Sequence, residues 1–563
     1  MQHLEIASTS QTFVQLLEQR TSQQADKRLY SFLRDDGGED TLSYAQLLTR
    51  AQHFAAHLQA GLTKEESHSE ARVLLLLPPG LDLITAFFGC LLAGTIAVPL
   101  PPPHPARLAV QKDRVLSVAL DAQPAIVFCD AATQIALEPI RREIDAAAGK
   151  TLPWLACDEL PANEFDWRRP NISGQTTAFL QYTSGSTSRP KGVLVSHENL
   201  LHNCALIYRA FGHNSQSHGV IWLPPYHDMG LIGGVLQPLY GGFPVSLFSP
   251  TSFLMKPLRW LQTISDSRAT TSGAPNFAFE LCAHKITSQQ KKYLDLSSWQ
   301  VAFVGAEPVR EETLNRFASA FECCGFRREA FLPCYGLAEA TLLVSGEKKN
   351  PVPQVVEKNN SRFVSCGLAA SELNVQIVDR ERSTPVAEGE IGEIFVAGKS
   401  VAKGYWNREE ESRETFGARL PGKDNQTFLR TGDFGFFQDG ELFICGRQKD
   451  LILVAGRNHF PEDIEATTEA SDALIRASAA FGAEIENEEK LVVAVELDRL
   501  SAFDETQKNA LMTKLKSEVA SRHDLRIHEI LLYRLGALPR TTSGKIQRAR
   551  CRAEYSATRN RAE

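Results

Sequence analysis

The apolar stretch from residue 81 to residue 100 constrains this chain more than any other, because about 20 apolar residues are enough for a membrane span. It does not read as one. Asp82 and Gly94 interrupt it, Pro78-Pro79-Gly80 precede it and Pro101-Pro102-Pro103 follow it, so each unbroken piece falls short of the roughly 17 residues that cross a bilayer. A buried strand at 73–77, a helix at 82–93 and a second strand at 95–99 account for the whole stretch. A helix at 115–120 and a strand at 125–129 continue the alternation, which is the pattern of a mostly parallel sheet crossed by helices. An α/β protein without an integral membrane segment is expected.

Upstream, amphipathic helices at 12–18 and 43–58 flank a strand at 29–33. After the proline-marked connection at 153–170 a second α/β region opens, with a helix at 196–211 and strands at 219–223 and 244–248. A chain of 563 residues is long enough for several domains, each with its own core. The formal net charge of −7 argues against nucleic acid as a bulk electrostatic partner. The 11 cysteines form no C-x-x-C pair, and the amino terminus lacks a basic segment before an apolar one. Reduced thiols and a cytoplasmic location follow as expectations.

Residues 182–192 read YTSGSTSRPKG, behind an apolar strand at 177–180. Gly185 lets backbone approach an anion, while Thr183, Ser184, Ser186 and Thr187 offer hydroxyl donors and Lys191 a mobile positive charge. A P-loop is excluded, since the second glycine and the hydroxyl that would hold magnesium are both missing after Gly185. By itself the stretch reads either as a grip on phosphates or as an ordinary surface turn.

Its residues and their order resemble the phosphate loop of the adenylate-forming superfamily: acyl-CoA synthetases, luciferases and the adenylation domains of peptide synthetases. Further stretches, in order, carry the resemblance. In WLPPYHDMGLI, at 222–232, the prolines halt a strand and present Tyr226, His227 and Asp228 on a loop. The form LPPYHDMGL resembles the fatty acyl-AMP ligase branch, which implies that Tyr226, His227, Asp228 and Met229 border an acyl pocket. SGAPNFAFEL, at 272–281, reads by default as an apolar core helix; the resemblance adds Phe277 and Phe279 to the acyl tunnel. VAFVGAE, at 301–307, implies an adenine loop at Gly305, Ala306 and Glu307. In CYGLAEAT, at 334–341, Tyr335 offers a flat face to a base, Gly336 allows close backbone approach and Glu339 is a hard anionic ligand suited to magnesium. RTGDFGF, at 430–436, sets Asp433 in a tight turn where the resemblance has it bond the ribose hydroxyls. In GRQKD, at 446–450, Arg447 resembles the nucleotide-contacting arginine and Lys449 the domain hinge. In LPRTTSGKIQR, at 538–548, Lys545 matches the catalytic lysine, although a lone exposed lysine is more often a solvated charge.

The resemblance spans almost the whole chain. It implies a large amino-terminal domain at 1–446, made of two α/β sheet subdomains and a small distorted β-barrel, then a small mobile α+β domain at 447–563. Residues 342–367 read as a polar insertion of the kind that fatty acyl-AMP ligases carry, or as a solvated connecting loop. The implied reaction joins ATP and a fatty acid, with Mg2+, into an acyl-adenylate and pyrophosphate, and passes the acyl group to an acyl carrier protein acting in trans. Two alternatives stand beside it, a long-chain acyl-CoA synthetase and a catalytically silent adenylate-binding regulator. The basic tail after residue 540 docks an acidic carrier or is simply solvated. Acyl chain length and oligomeric state are not legible.

Overall fold

The computed structural model describes residues 9–63, 70–162, 165–183, 190–358, 361–423, 425–454, 457–485, 488–498, 500, 503–541 and 544–559. Two α/β sheets and one antiparallel sheet make up the larger part. The first orders Trp154–Ala156, Ile126–Cys129, Arg72–Leu76, Ile96–Pro99, Thr177–Thr183 and Lys191–Ser196. Its strands run parallel except for the last pair, a hairpin in which Thr183 stands opposite Lys191. Tyr182 and Thr183 therefore end one strand of an antiparallel pair and Lys191 and Gly192 begin the other, and the chain enters the helix His197–Ala210 only after that second strand. Ser196 caps that helix and Asn199 reaches back to complete the capping box.

The apolar stretch that opened the sequence is buried as expected. In the helix Leu81–Ala93 every residue from Leu83 to Leu92 is buried, and Gly94 ends it in the left-handed conformation that stops helices. Among the described residues no helix is long and apolar enough to cross a membrane.

The second sheet orders Phe331–Pro333, Val301–Val304, Thr271–Ala274, Gly219–Ile221, Val245–Leu247, Arg28–Leu33 and Glu39–Ser43. All but the last pair are parallel. The amino-terminal hairpin thus joins a sheet whose other strands lie about two hundred residues downstream, since Tyr30 pairs with Val245. One continuous apolar core, including Phe87, Phe88, Phe179, Trp260 and Trp299, joins the two α/β sheets.

A nine-stranded antiparallel sheet stands where the sequence implied a small barrel, running from Tyr335–Gly336 to Glu441–Arg447. It absorbs most of residues 342–367, which form the strands Leu343–Glu347, Val355–Lys358 and Ser361–Ala369 rather than a solvated loop. Phe363 and Val364 are buried there, and the Phe363 ring packs edge-on against Phe436 at 5.6 Å between centroids.

Past Arg447 a single turn, Gln448–Asp450, leads into the small α+β part. Ile475–Ile485, Glu488–Leu497 and Ile527–Arg534 form its sheet, covered by the helices Pro461–Ser471, Glu505–His523 and Arg548–Arg559, with a core of its own around Val493, Val495 and Leu515. All 11 cysteines are free thiols, most of them buried.

Candidate active site

A cavity of about 2340 Å³ opens at the carboxyl ends of the parallel strands and runs on to the small part. Thr183, the last residue of its strand, lines it; Gly305, Ala306 and Glu307 follow Val301–Val304, and Tyr335 and Gly336 follow Phe331–Pro333. Ala306 holds φ at +70°, a left-handed conformation that costs a non-glycine residue of order 1–3 kcal/mol. Thr341, fully buried, sits at φ +68° and ψ −63° in a three-residue turn closed by Leu342 N–H donating to the Ala340 carbonyl at 2.8 Å. Both outliers adjoin residues that line the cavity, as strain held in place by surrounding structure usually does.

Asp433 is not in a tight turn. It lies within the strand Leu429–Gln438, directly opposite Arg447 on Glu441–Arg447. Cross-strand pairing sets up the contact, Arg447 Nε donating to Asp433 Oδ1 at 2.9 Å, while Tyr335 Oη donates to Oδ2 at 2.8 Å. Both carboxylate oxygens are thereby aimed, and the Asp433 backbone N–H is fixed by Thr431 Oγ1 at 3.1 Å. With its hydroxyl held by Asp433, the Tyr335 ring cannot swing freely.

Glu339 sits on the single turn Ala338–Ala340 and accepts the Tyr405 hydroxyl at 2.9 Å. Burial raises its proton affinity, with Asp433 adding to the rise; Tyr405 and Arg447 oppose it. Lys191 lines the same cavity, paired with Glu411 and lying 4.9 Å from the centre of the Tyr405 ring. The base of the hairpin is braced by Tyr182 Oη donating to Asp121 at 2.7 Å and by Arg408 donating to the other Asp121 oxygen at 2.9 Å. Gly192 faces Tyr182 across the hairpin, where a Cβ would come within 2.9 Å of the tyrosine ring. Tyr405, Asp121 and Arg408 escaped the sequence reading, whose one available signal was the Tyr405-Trp406 pair in an otherwise polar stretch.

Lys545 reaches this cavity from the small part. Burial lowers its proton affinity; Asp228, Glu307 and Asp433 oppose that, and the Arg447 charge adds to it. Its neighbour Gly544 has φ +89° and lies against the Phe277 ring, so closely that a Cβ would stand 2.7 Å from Phe277 Cζ. Glu307 in turn accepts the Phe277 backbone N–H at 2.6 Å. Burial holds the His227 imidazole neutral, with a pKa down to about 3, and raises the carboxyl of Asp228. Three residues past Lys545, Arg548 donates to Asp450 at 2.8 Å, Glu462 at 2.9 Å and Glu465 at 2.7 Å, tying the lysine's loop to the turn that bears Lys449. Arg310 crosses to the helix Pro461–Ser471 to pair with Glu469.

Most of the expected residues thus converge, His227, Asp228, Met229, Phe277, Gly336, Arg447 and Lys449 included. Two do not. Tyr226 is buried with its hydroxyl on the Leu77 carbonyl at 2.5 Å, a bond within the core. Phe279 is fully buried among Trp260, Trp299, Phe317 and Phe331, two residues and about 200° around the helix from Phe277. Ser184, Gly185, Ser186 and Thr187 lie outside the described residues.

The AMP-binding enzyme family matches residues 17–406, and the AMP domain of the Disco-interacting protein 2-like family matches residues 449–563. The chain is 43% identical over 569 residues to a medium-chain-fatty-acid–acyl-carrier-protein ligase, JamA, of Moorena producens, across 97% of this chain and 95% of that one. It is 36% identical over 577 residues to a 4-hydroxyphenylalkanoate adenylyltransferase of Mycobacterium tuberculosis, across 96% and 91%. Among solved structures it is similar to a fatty acyl-adenylate ligase from L. pneumophila in complex with acyl adenylate and pyrophosphate. That match has 40% identity, a TM-score of 0.75 and coverage of 98% and 97%.

Proposed function

Because the chain belongs to the AMP-binding enzyme family, we propose that it adenylates a fatty acid with ATP and passes the acyl group to the phosphopantetheine thiol of an acyl carrier protein. The observation that carries this reading is the meeting, in one cavity, of Lys545 from the small part with the Asp433–Tyr335–Arg447 cluster, Glu339 and the wall at His227, Asp228 and Phe277. The relatives named above support the substrate class, one acting on medium-chain fatty acids with an acyl carrier protein and one structure holding an acyl adenylate with pyrophosphate.

In this reading Asp433 accepts the ribose hydroxyls, Tyr335 covers the adenine face and Gly305, Ala306 and Glu307 edge the base. A fatty carboxylate oxygen attacks the α-phosphorus, a new P–O bond forms, and the bond to the β-phosphate breaks to release pyrophosphate. The attacking group is already an anion, so no base is required; the work is to hold anions together and to meet the charge that develops. Lys545 meets that charge on the α-phosphoryl oxygens, and Lys191 with the 184–187 hydroxyls holds the outer phosphates. Glu339 fits a magnesium ion, being a buried carboxylate of hard oxygens, while no cluster of three His, Cys, Asp or Glu able to cage a metal occurs among the described residues. Magnesium characteristically takes one or two carboxylates and completes its shell with phosphates and water, and it would neutralise the departing pyrophosphate. Rotation at Lys449, between domains 1–446 and 447–563, would withdraw Lys545 once the adenylate has formed.

The strands Val355–Lys358 and Ser361–Ala369 favour a carrier protein over coenzyme A as acceptor. Arg362 on the second pairs with Glu311 of the larger part, and Ser361 lies close enough to Asp463 of the smaller to lower the proton affinity of its carboxyl. A hairpin engaged with both parts limits how far the small part can turn. The test supplies the purified protein with ATP, magnesium, a fatty acid and either coenzyme A or a phosphopantetheinylated carrier. Pyrophosphate release with acyl transfer to the carrier alone is expected; rapid acyl-CoA formation would overturn the choice of acceptor. A reduced cytosol suits this chemistry and the free thiols.

A further inference from the structure

Part of the cavity's lining sets a polar group among apolar side chains, and the adenylation chemistry does not use it. The wall there is formed by Phe211, Phe243, Val245, His213 and Thr271. The His213 ring lies 4.9 Å from Phe243 and 5.4 Å from Phe211, centroid to centroid, and the residue is 7% exposed. Thr271 and Gly219 pair with each other at the amino ends of their strands, whereas the adenylate loops leave the carboxyl ends. Three residues of strand separate Thr271 from Ala274, a depth of about 10 Å.

His213 Nε2 lies 3.1 Å from Thr271 Oγ1, and the Gln237 amide nitrogen lies 3.3 Å from His213 Nδ1. Gln237 is fully buried and its Oε1 has no partner. Burial keeps the imidazole neutral, so it carries one N–H. With the Gln237 amide donating to Nδ1, that N–H is on Nε2 and donates to Thr271 Oγ1. The threonine hydroxyl proton is then left to donate into the space that Thr271 lines. Gly219 lines the same part of the cavity, packed so closely that a Cβ there would stand 3.0 Å from Val245 Cγ2. An apolar wall would avoid the cost of burying three polar side chains, one of them incompletely satisfied.

We propose that this part of the cavity is a polar subsite that receives a hydroxyl group at the distal end of the fatty chain, with Thr271 as donor and His213 and Gln237 as the residues that position it. The proposal rests on the acyl-activating reading and goes beyond it to the substrate's far end. Pyrophosphate release is measured for a series of saturated acids from six to fourteen carbons, about the medium-chain span, and for the matching terminal hydroxy acids. At the length that reaches Thr271 the hydroxy acid should gain about tenfold in kcat/KM over its methyl-ended counterpart, the scale of one well-made buried hydrogen bond. Thr271→Val should erase that gain, while Thr271→Ser should keep it. A hydroxy acid that is never preferred at any length, or a preference that survives Thr271→Val, overturns the subsite while leaving acyl activation intact. Failure of every acid, plain or hydroxylated, to release pyrophosphate overturns the acyl reading, and the subsite with it.

Discussion

Gly544 offers a sharp test of whether the orientation with Lys545 in the cavity is the one that forms the adenylate. Replacement by alanine makes two separable demands. The backbone φ of +89° lies in the left-handed region, where a Cβ costs roughly 1–2 kcal/mol. The new Cβ would also press on the Phe277 ring at 2.7 Å, closer than real side chains approach, and relief of such overpacking costs typically 1–3 kcal/mol. The ring sits at the cavity wall and can yield, so the lower part of the packing range bears on the closed orientation, about 1–2 kcal/mol or a 5- to 30-fold loss. The packing demand disappears once the small part has turned away, whereas the φ demand is local to the loop and common to both orientations. Gly544→Ala should therefore slow fatty-acid-dependent ATP–pyrophosphate exchange by that factor and leave acyl transfer from a preformed acyl-adenylate to the carrier within about twofold of the parent, since the packing cost falls on one orientation alone. Adding Phe277→Ala should recover the packing share only, a coupling of about 1 kcal/mol between neighbours in contact. Exchange within twofold of the parent in Gly544→Ala, or equal loss in both half-reactions, would refute the argument.

Lys545→Ala should reduce fatty-acid-dependent pyrophosphate release at least about 10²-fold, the scale of losing one preorganised charge contact, with ATP binding by calorimetry little altered. Undiminished release would reassign the lysine. Phe279→Ala should cost about 3–5 kcal/mol of folding stability by chemical denaturation, as a large aromatic lost from a packed core does, with the acyl-length profile of the surviving protein unmoved. Glu462 supplies a pH prediction. Burial pushes its carboxyl up from an ordinary 4.5 to about 7, with Glu465 adding to the rise and Arg548 opposing it. Its folded-state affinity for a proton exceeds the unfolded one, so its contribution to stability is complete below about 4.5 and is lost as pH rises through about 7. Thermal midpoints measured from pH 5.5 to 8.5, a range chosen around these values, should fall with rising pH in the parent and fall less steeply in Glu462→Gln.

What the sequence made legible follows a physical line. A loop that lines a site does so with consecutive backbone atoms and short side chains, so the stretches from Gly305 to Glu307 and from Tyr335 to Glu339, which line the cavity, are written in adjacent letters. Side chains that position those loops are recruited through space. Tyr405 meets Glu339 across 66 residues of chain, Arg310 meets Glu469 across 159 and Arg408 meets Asp121 across 287, and no local pattern announces such pairs. Phe277 and Phe279 show the limit from the other side, because both letters suit a tunnel and only the helical rotation of about 100° per residue decides which one faces it. For residues 342–367 only the solvated-loop alternative fails, because their lysines and asparagines suggest solvent while Phe363, Val364 and Cys366 are buried. The consequence is specific to the acceptor. Adenylation rests on motifs that any reader of the sequence can find. In the proposed function, how far the small part can turn to admit a free thiol cofactor depends on Arg362 with its partner Glu311 and on Ser361 beside Asp463, neighbours brought together only once the chain has folded. Arg362→Glu, which sets like charges against Glu311, should therefore loosen the hairpin and raise any acyl-CoA formation relative to carrier transfer, with adenylation unchanged.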